Sequence, residues 1–114
     1  MMKQKAIIIT GGEGFIASNF IKKLLSTKKD IIIISLDSHY NLYPNKIKNK
    51  RVKYIKGKTK FISQKISKLI SKYDIDTLFH FGEFSRIVAS FNYYDDCIDA
   101  NVVGTNEVIK FCIK

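Results

Sequence analysis

With 114 residues, 46% of them hydrophobic and only one a proline, the chain has the composition of a single globular domain at most. No apolar run approaches the roughly 18 to 20 residues of a membrane span, and the one behind Lys3 and Lys5 is too short for a signal peptide, so the expected compartment is the cytoplasm. The formal net charge of +10 rests on twenty basic side chains of which only Arg51 and Arg86 are arginine; scattered among isoleucine and asparagine, these lysines read as AT-rich coding and a solvated surface rather than a nucleic-acid patch.

The first apolar run, residues 6–10 (AIIIT), is short, continuous and β-branched, which suits a strand buried on both faces of a parallel sheet. Residues 14–27 follow with Phe15, Ile16, Phe20, Ile21, Leu24 and Leu25 at helical spacing and Lys22 and Lys23 opposite. A second buried strand is expected at 31–36 (IIIISL), then a polar connection at 37–50 that contains Pro44. Residues 52–56 (VKYIK) alternate and predict a strand nearer an edge. Residues 61–73 predict a helix, with Ile62, Ile66, Leu69 and Ile70 on one stripe and Lys65, Lys68 and Lys72 on another. Residues 77–81 (TLFHF) predict a fourth strand and 82–92 a loop.

A last helix is expected over 94–112, with Ile98, Val102, Val108 and Phe111 facing inward. Cys97 and Cys112 lie fifteen residues apart on it, roughly 22 Å at helical rise, too far for a disulfide. No His/Cys cluster has metal-ligand spacing, so no metal is expected. The order β-α-β-loop-β-α-β-α predicts an α/β, Rossmann-like doubly wound parallel sheet. Right-handed crossovers put its four strands in the order 3-2-1-4.

The turn between the first strand and the first helix carries the chemistry. Gly12-x-Gly14-x-x-Ala17 has the G-x-G-x-x-G/A spacing of a dinucleotide loop. Gly11 and Gly12 permit the tight strand-to-helix turn, and Gly14 leaves space for a pyrophosphate against the backbone. Ala17 lets the helix pack close to the sheet, and the helix N-terminus offers N–H groups to the anion. Twenty positions after Ala17, Asp37 ends the second strand; a carboxylate there accepts both ribose hydroxyls of an adenosine and repels a 2′-phosphate, which favours NAD over NADP. His80 reads as a satisfied core histidine rather than a catalyst.

Three stretches together resemble the extended short-chain dehydrogenases/reductases, the NAD-dependent sugar epimerase/dehydratase family. Residues 10–18 (TGGEGFIAS) resemble its TGGxGFIG(S), residues 80–90 (HFGEFSRIVAS) its HxAAxxxVxxS, and residues 101–105 (NVVGT) its NVxGT. The resemblance covers essentially the whole chain. It implies that Gly11, Gly14, Phe15 and Ile16 line the pyrophosphate, that Asp37 meets the ribose, and that Phe81 and Gly82 run along the cofactor. It places Ser85 and Arg86 near the nicotinamide half and the substrate, and has Asn101 support the site from behind. Three departures stand out: Ala17 replaces a glycine, Gly57-Lys58 stands where an adenine-contacting aspartate is usual, and Glu83 replaces a small residue.

The resemblance also implies a nucleotide-sugar substrate, a homodimer in the complete protein, and a tyrosine base within a helical Tyr-x-x-x-Lys. The one formal match, Tyr54 to Lys58, falls on the third strand and its turn and is rejected. The chain is therefore expected to be the N-terminal part of an NAD-binding domain, without catalytic residues, substrate domain or activity of its own. Its fourth strand is expected to lack a neighbour. A stand-alone or split nucleotide-binding regulatory module, completed by another polypeptide, is the alternative; a nucleic-acid binder has only the charge in its favour.

Overall fold

The computed structural model describes residues 3–38, 46–82 and 91–113. Strands β1 (Lys5–Thr10), β2 (Ile32–Asp37), β3 (Val52–Lys56) and β4 (Asp74–His80) form one sheet in the order β3-β2-β1-β4, every pairing parallel. Helix α1 (Phe15–Thr27) connects β1 to β2, and a 3-10 turn (Thr59–Phe61) leading into α2 (Ile62–Ile70) connects β3 to β4. After β4 come α3 (Tyr94–Ile98), a π-helical segment (Asp99–Gly104) and α4 (Thr105–Ile113).

The two central strands read as unbroken apolar runs because both of their faces are covered. Pairing Ile7 with Ile33 and Ile8 with Ile34 sends side chains of alternating parity to opposite sides. Ile7, Ile9, Ile33 and Val52 pack with Ala17, Ile21 and Leu24 of α1. Ala6, Ile8, Ile32, Ile34 and Leu36 pack with Ile62 and Ile66 of α2, with Tyr73, and with Val108 of α4. Ile8, Ile9, Ile33 and Ile34 lose all contact with water; each such burial stabilises the fold by roughly 1.5–3 kcal/mol of transfer free energy. Among the described residues β4 pairs only with β1, and none of its own residues is fully buried.

The last helix departs from the expectation. The periodicity predicts one helix over 94–112, but the backbone widens into π-helical geometry between Asp99 and Gly104. A π segment shifts the angular register of everything before it. Val108 is therefore buried and Phe111 packs against the core as predicted, whereas Ile98 (54% exposed) and Val102 (62% exposed) face outward. Contacts with the preceding 3-10 turn accompany the break. The Lys60 ammonium lies 2.5 Å from the Asp99 carboxylate, and a methyl added at Gly104 would collide with the Thr59 hydroxyl.

Candidate functional site

At the carboxyl ends of β1 and β2 the glycine turn folds as its spacing predicts. Gly11 has φ of 72°, a conformation that favours glycine. Its N–H donates to the carbonyl of Leu36 (2.7 Å), and its carbonyl accepts the N–H of Gly14 (2.9 Å). A second constraint acts there: a Cβ on Gly11 would stand 2.8 Å from the Cα of Gly82. Two predicted site glycines, seventy-one positions apart, thus meet where β1 and β4 end. Gly12 faces inward, where a methyl would overlap Ser35.

Gly14 is the N-cap of α1, extended at φ −76° and ψ 167°, with no side-chain cap and no acidic residue in the first turn. Among the described residues no side chain caps the first N–H groups of the helix, the arrangement in which a helix N-terminus serves as an anion site. Phe15 and Ile16 stand on this turn, 77% and 68% exposed, rather than in the core stripe that includes Ile21 and Leu24. Behind them Phe20 makes edge contacts with Phe79 and Phe81, at ring-centroid distances of 4.7 and 5.7 Å. Phe81 is thereby held at the mouth of the turn.

Asp37 closes β2 and is 7% exposed. Its Oδ2 accepts the backbone N–H of Glu13 at 3.0 Å, and its carbonyl accepts the N–H of Gly57 at 2.9 Å. The Gly57 N–H therefore ties the end of β3 to the end of β2. Glu13, between Gly12 and Gly14 in the turn, is 1% exposed.

His80 bonds two hydroxyls: Nδ1 is 2.6 Å from Thr10 Oγ1, and Nε2 is 3.0 Å from Thr105 Oγ1. Thr10 Oγ1 also accepts the N–H of Gly82 at 3.0 Å. The histidine thus ties the glycine turn to the start of α4. Sequence reasoning classed it as a core histidine and did not connect it to either threonine, although each stands inside a quoted motif.

Asn101 lies on the π segment, its amide Nδ2 donating to Cys97 Sγ at 3.5 Å. Ser85, Arg86 and Glu83 lie outside the described residues. Tyr54 shows why its formal Tyr-x-x-x-Lys match is not a base. Its hydroxyl accepts the N–H of Ile47 (2.6 Å) and donates to the carbonyl of the same residue (3.2 Å). Burial pushes the phenol above its ordinary range; the Ile47 hydrogen bond opposes this and the charge of Glu13 adds to it. A general base needs the opposite shift.

Residues 7–114 match the NAD dependent epimerase/dehydratase family. A trifunctional UDP-glucose 4,6-dehydratase/UDP-4-keto-6-deoxy-D-glucose 3,5-epimerase/UDP-4-keto-L-rhamnose-reductase of Arabidopsis thaliana is 30% identical over 116 residues, covering 96% of this chain and 17% of its own length. A UDP-glucose 4-epimerase of Haemophilus influenzae is 30% identical over 112 residues, covering 92% of this chain and 32% of its own. In structure, the dTDP-glucose 4,6-dehydratase of Bacillus anthracis, solved in complex with NAD, superimposes with a TM-score of 0.71 at 24% identity, over 94% of this chain and 33% of that one. The chain spans about a third or less of the length of these relatives.

Proposed function

Because this chain belongs to the NAD dependent epimerase/dehydratase family, we propose that it is the cofactor-binding part of a nucleotide-sugar epimerase or dehydratase and that its cofactor is NAD. One observation carries the assignment: an uncapped helix N-terminus, a positive-φ glycine turn and a buried aspartate converge at the ends of adjacent strands. The residues fit the dinucleotide. Gly11, Gly14 and the first N–H groups of α1 would hold the pyrophosphate, with Phe15 and Ile16 beside it and Asp37 on the adenosine ribose. Phe81 and Gly82 lead the site past the end of β4.

NAD, when bound, would supply transient hydride transfer with a sugar hydroxyl carbon. This chain would contribute binding and orientation. The acid–base groups and the sugar-nucleotide pocket would come from further polypeptide such as the relatives possess, so these 114 residues would bind cofactor without turning over substrate. The working protein would be cytoplasmic, and a homodimer when complete. A split arrangement, with the remainder supplied by another chain, is the alternative; in either case Ile98, Val102, Ile109 and Ile113, apolar and exposed on the last helices, would be covered by that further polypeptide.

Titration calorimetry tests the assignment. Wild-type protein is expected to bind NAD saturably, and Gly14→Val to abolish binding with an unchanged circular dichroism spectrum, because the isopropyl group fills the space the pyrophosphate needs. A folded wild-type sample that binds no NAD would overturn the reading.

A further inference from the structure

We propose that the β3–α2 side of the molecule binds single-stranded nucleic acid through its phosphates, independently of the cofactor site. The net charge of +10 is not spread over the chain. Residues 38–73 hold eleven of the twenty basic side chains and no acid, whereas the remainder holds nine bases and ten acids. A coding bias toward lysine acts along the whole chain and does not clear one contiguous stretch of acids. That stretch supplies the connection into β3, β3 itself and α2. Lys46, Lys48, Lys53, Lys56, Lys65 and Lys68 are exposed, and among the described residues none of them forms an ion pair. Lys65 and Lys68 stand one turn apart on α2 with no acid on that helix between them, an arrangement that repels itself until an anion arrives.

The placement of these cations selects the partner. Among the described residues β3 is an edge strand, paired only with β2. Lysine on an edge discourages pairing between sheets, which accounts for Lys53 and Lys56 but not for the lysines of α2 or of the connection. Successive side chains of a strand point to opposite faces, so Lys56 shares the α1 face with Tyr54, and Lys53 the α2 face with Ile55. The Lys46 ammonium lies 5.4 Å from the centre of the Tyr54 ring, on the α1 side, and Lys65 and Lys68 ride on α2. Positive charge thus wraps round the sheet edge. A flat bilayer meets one side of such an edge; a flexible strand with a phosphate at every nucleotide follows it round. Lysine ammoniums meet phosphates as point charges, whereas bases are read by bidentate side chains. Arg51, the arginine of this stretch, is committed to the carbonyls of Lys28 and Leu25. Binding is therefore independent of base sequence.

The test is fluorescence anisotropy of the full chain with a labelled oligouridylate of about sixteen nucleotides, in rising salt. Affinity is expected to fall with a log–log slope of about −2 to −4, the release of counterions from about three to six phosphates. Lys46→Gln/Lys56→Gln and Lys65→Gln/Lys68→Gln are each expected to weaken binding about tenfold and to flatten the slope by about 1.4. Lys5→Gln/Lys110→Gln removes as much formal charge from cations that already face Asp74, Asp76 and Glu107, and is expected to leave binding unchanged. Each exposed lysine is also replaced singly, so that a pair that fails to fold is read from its members. Weakening on one side of the edge alone, an equal loss in the control pair, a salt-independent affinity, or no binding at low salt would overturn the proposal. Displacement of the RNA by polyglutamate of equal charge as readily as by unlabelled RNA would assign the surface to an acidic protein and overturn it too. Capture on phosphatidylserine vesicles in preference to RNA would do the same in favour of a membrane. Each of these failures leaves the NAD reading intact.

Discussion

Gly11 shows how two independent constraints fall on one residue. Its φ of 72° penalises any Cβ, and the Cβ would also stand 2.8 Å from Gly82 Cα in a backbone that cannot swing aside. Gly11→Ala is expected to lower stability by about 1–3 kcal/mol in urea denaturation. Gly57→Ala is the control, because its methyl would meet the flexible aliphatic chain of Lys65, 2.9 Å away, which can move; a loss as large as that of Gly11→Ala would contradict this account. The glycine spacing makes this turn legible in the sequence, since only small residues tolerate such geometry. The burial of Glu13 was not legible. Its neighbours in sequence are loop glycines, whereas its neighbours in space, Asp37 and Tyr54, arrive from two other strands.

At the scale of elements, Arg51 does for α1 what no residue of that helix does. The last turn of α1 holds no basic side chain. Arg51, just before β3, reaches across to donate to the carbonyls of Lys28 (2.6 Å) and Leu25 (2.7 Å). Planar guanidinium geometry satisfies two orphan carbonyls at once, which a lysine ammonium at the same position does not reproduce. Arg51→Ala is expected to cost about 1–2 kcal/mol of unfolding free energy, and Arg51→Lys to recover less than half of it. Equal stability of Arg51→Lys and wild type would show that charge near the helix end is sufficient. The π segment carries the complementary lesson. Residues 94–112 have a helical pattern, but contacts from Thr59 and Lys60 accompany a wider backbone at 99–104, so the period before the break no longer predicts the buried face.

For the molecule as a whole, the sheet divides the core in two. The α1 face is closed by Ile21, Leu24 and their neighbours, and the α2 and α4 face by Ile62, Ile66 and Val108. Beyond α4 and β4 the apolar surface continues: Phe91, Tyr94, Ile98, Val102, Ile109 and Ile113 are each more than half exposed. Replacing both Ile98 and Val102 by lysine is expected to change the stability of this chain by no more than about 0.5 kcal/mol and to reduce its self-association in sedimentation velocity. If the unbroken helical pattern were correct, the same pair of substitutions would bury two charges and unfold the protein. The residues are innocuous to mutate here because no described element packs over them.

The sequence by itself determined the parallel sheet, its 3-2-1-4 order and the tight glycine turn between β1 and α1. Each depends on local signals: continuous β-branched runs, right-handed crossovers, and glycines that only one backbone geometry requires. Asp37 belongs with these, because a strand end and an acid are both visible in one dimension. Tertiary structure decided the rest. The pairing of Gly11 with Gly82, the histidine bridge from Thr10 to Thr105, the burial of Glu13 and the π break all join residues far apart in the chain. Their chemistry depends on which atoms close packing brings within a few ångströms, and periodicity carries no record of that distance.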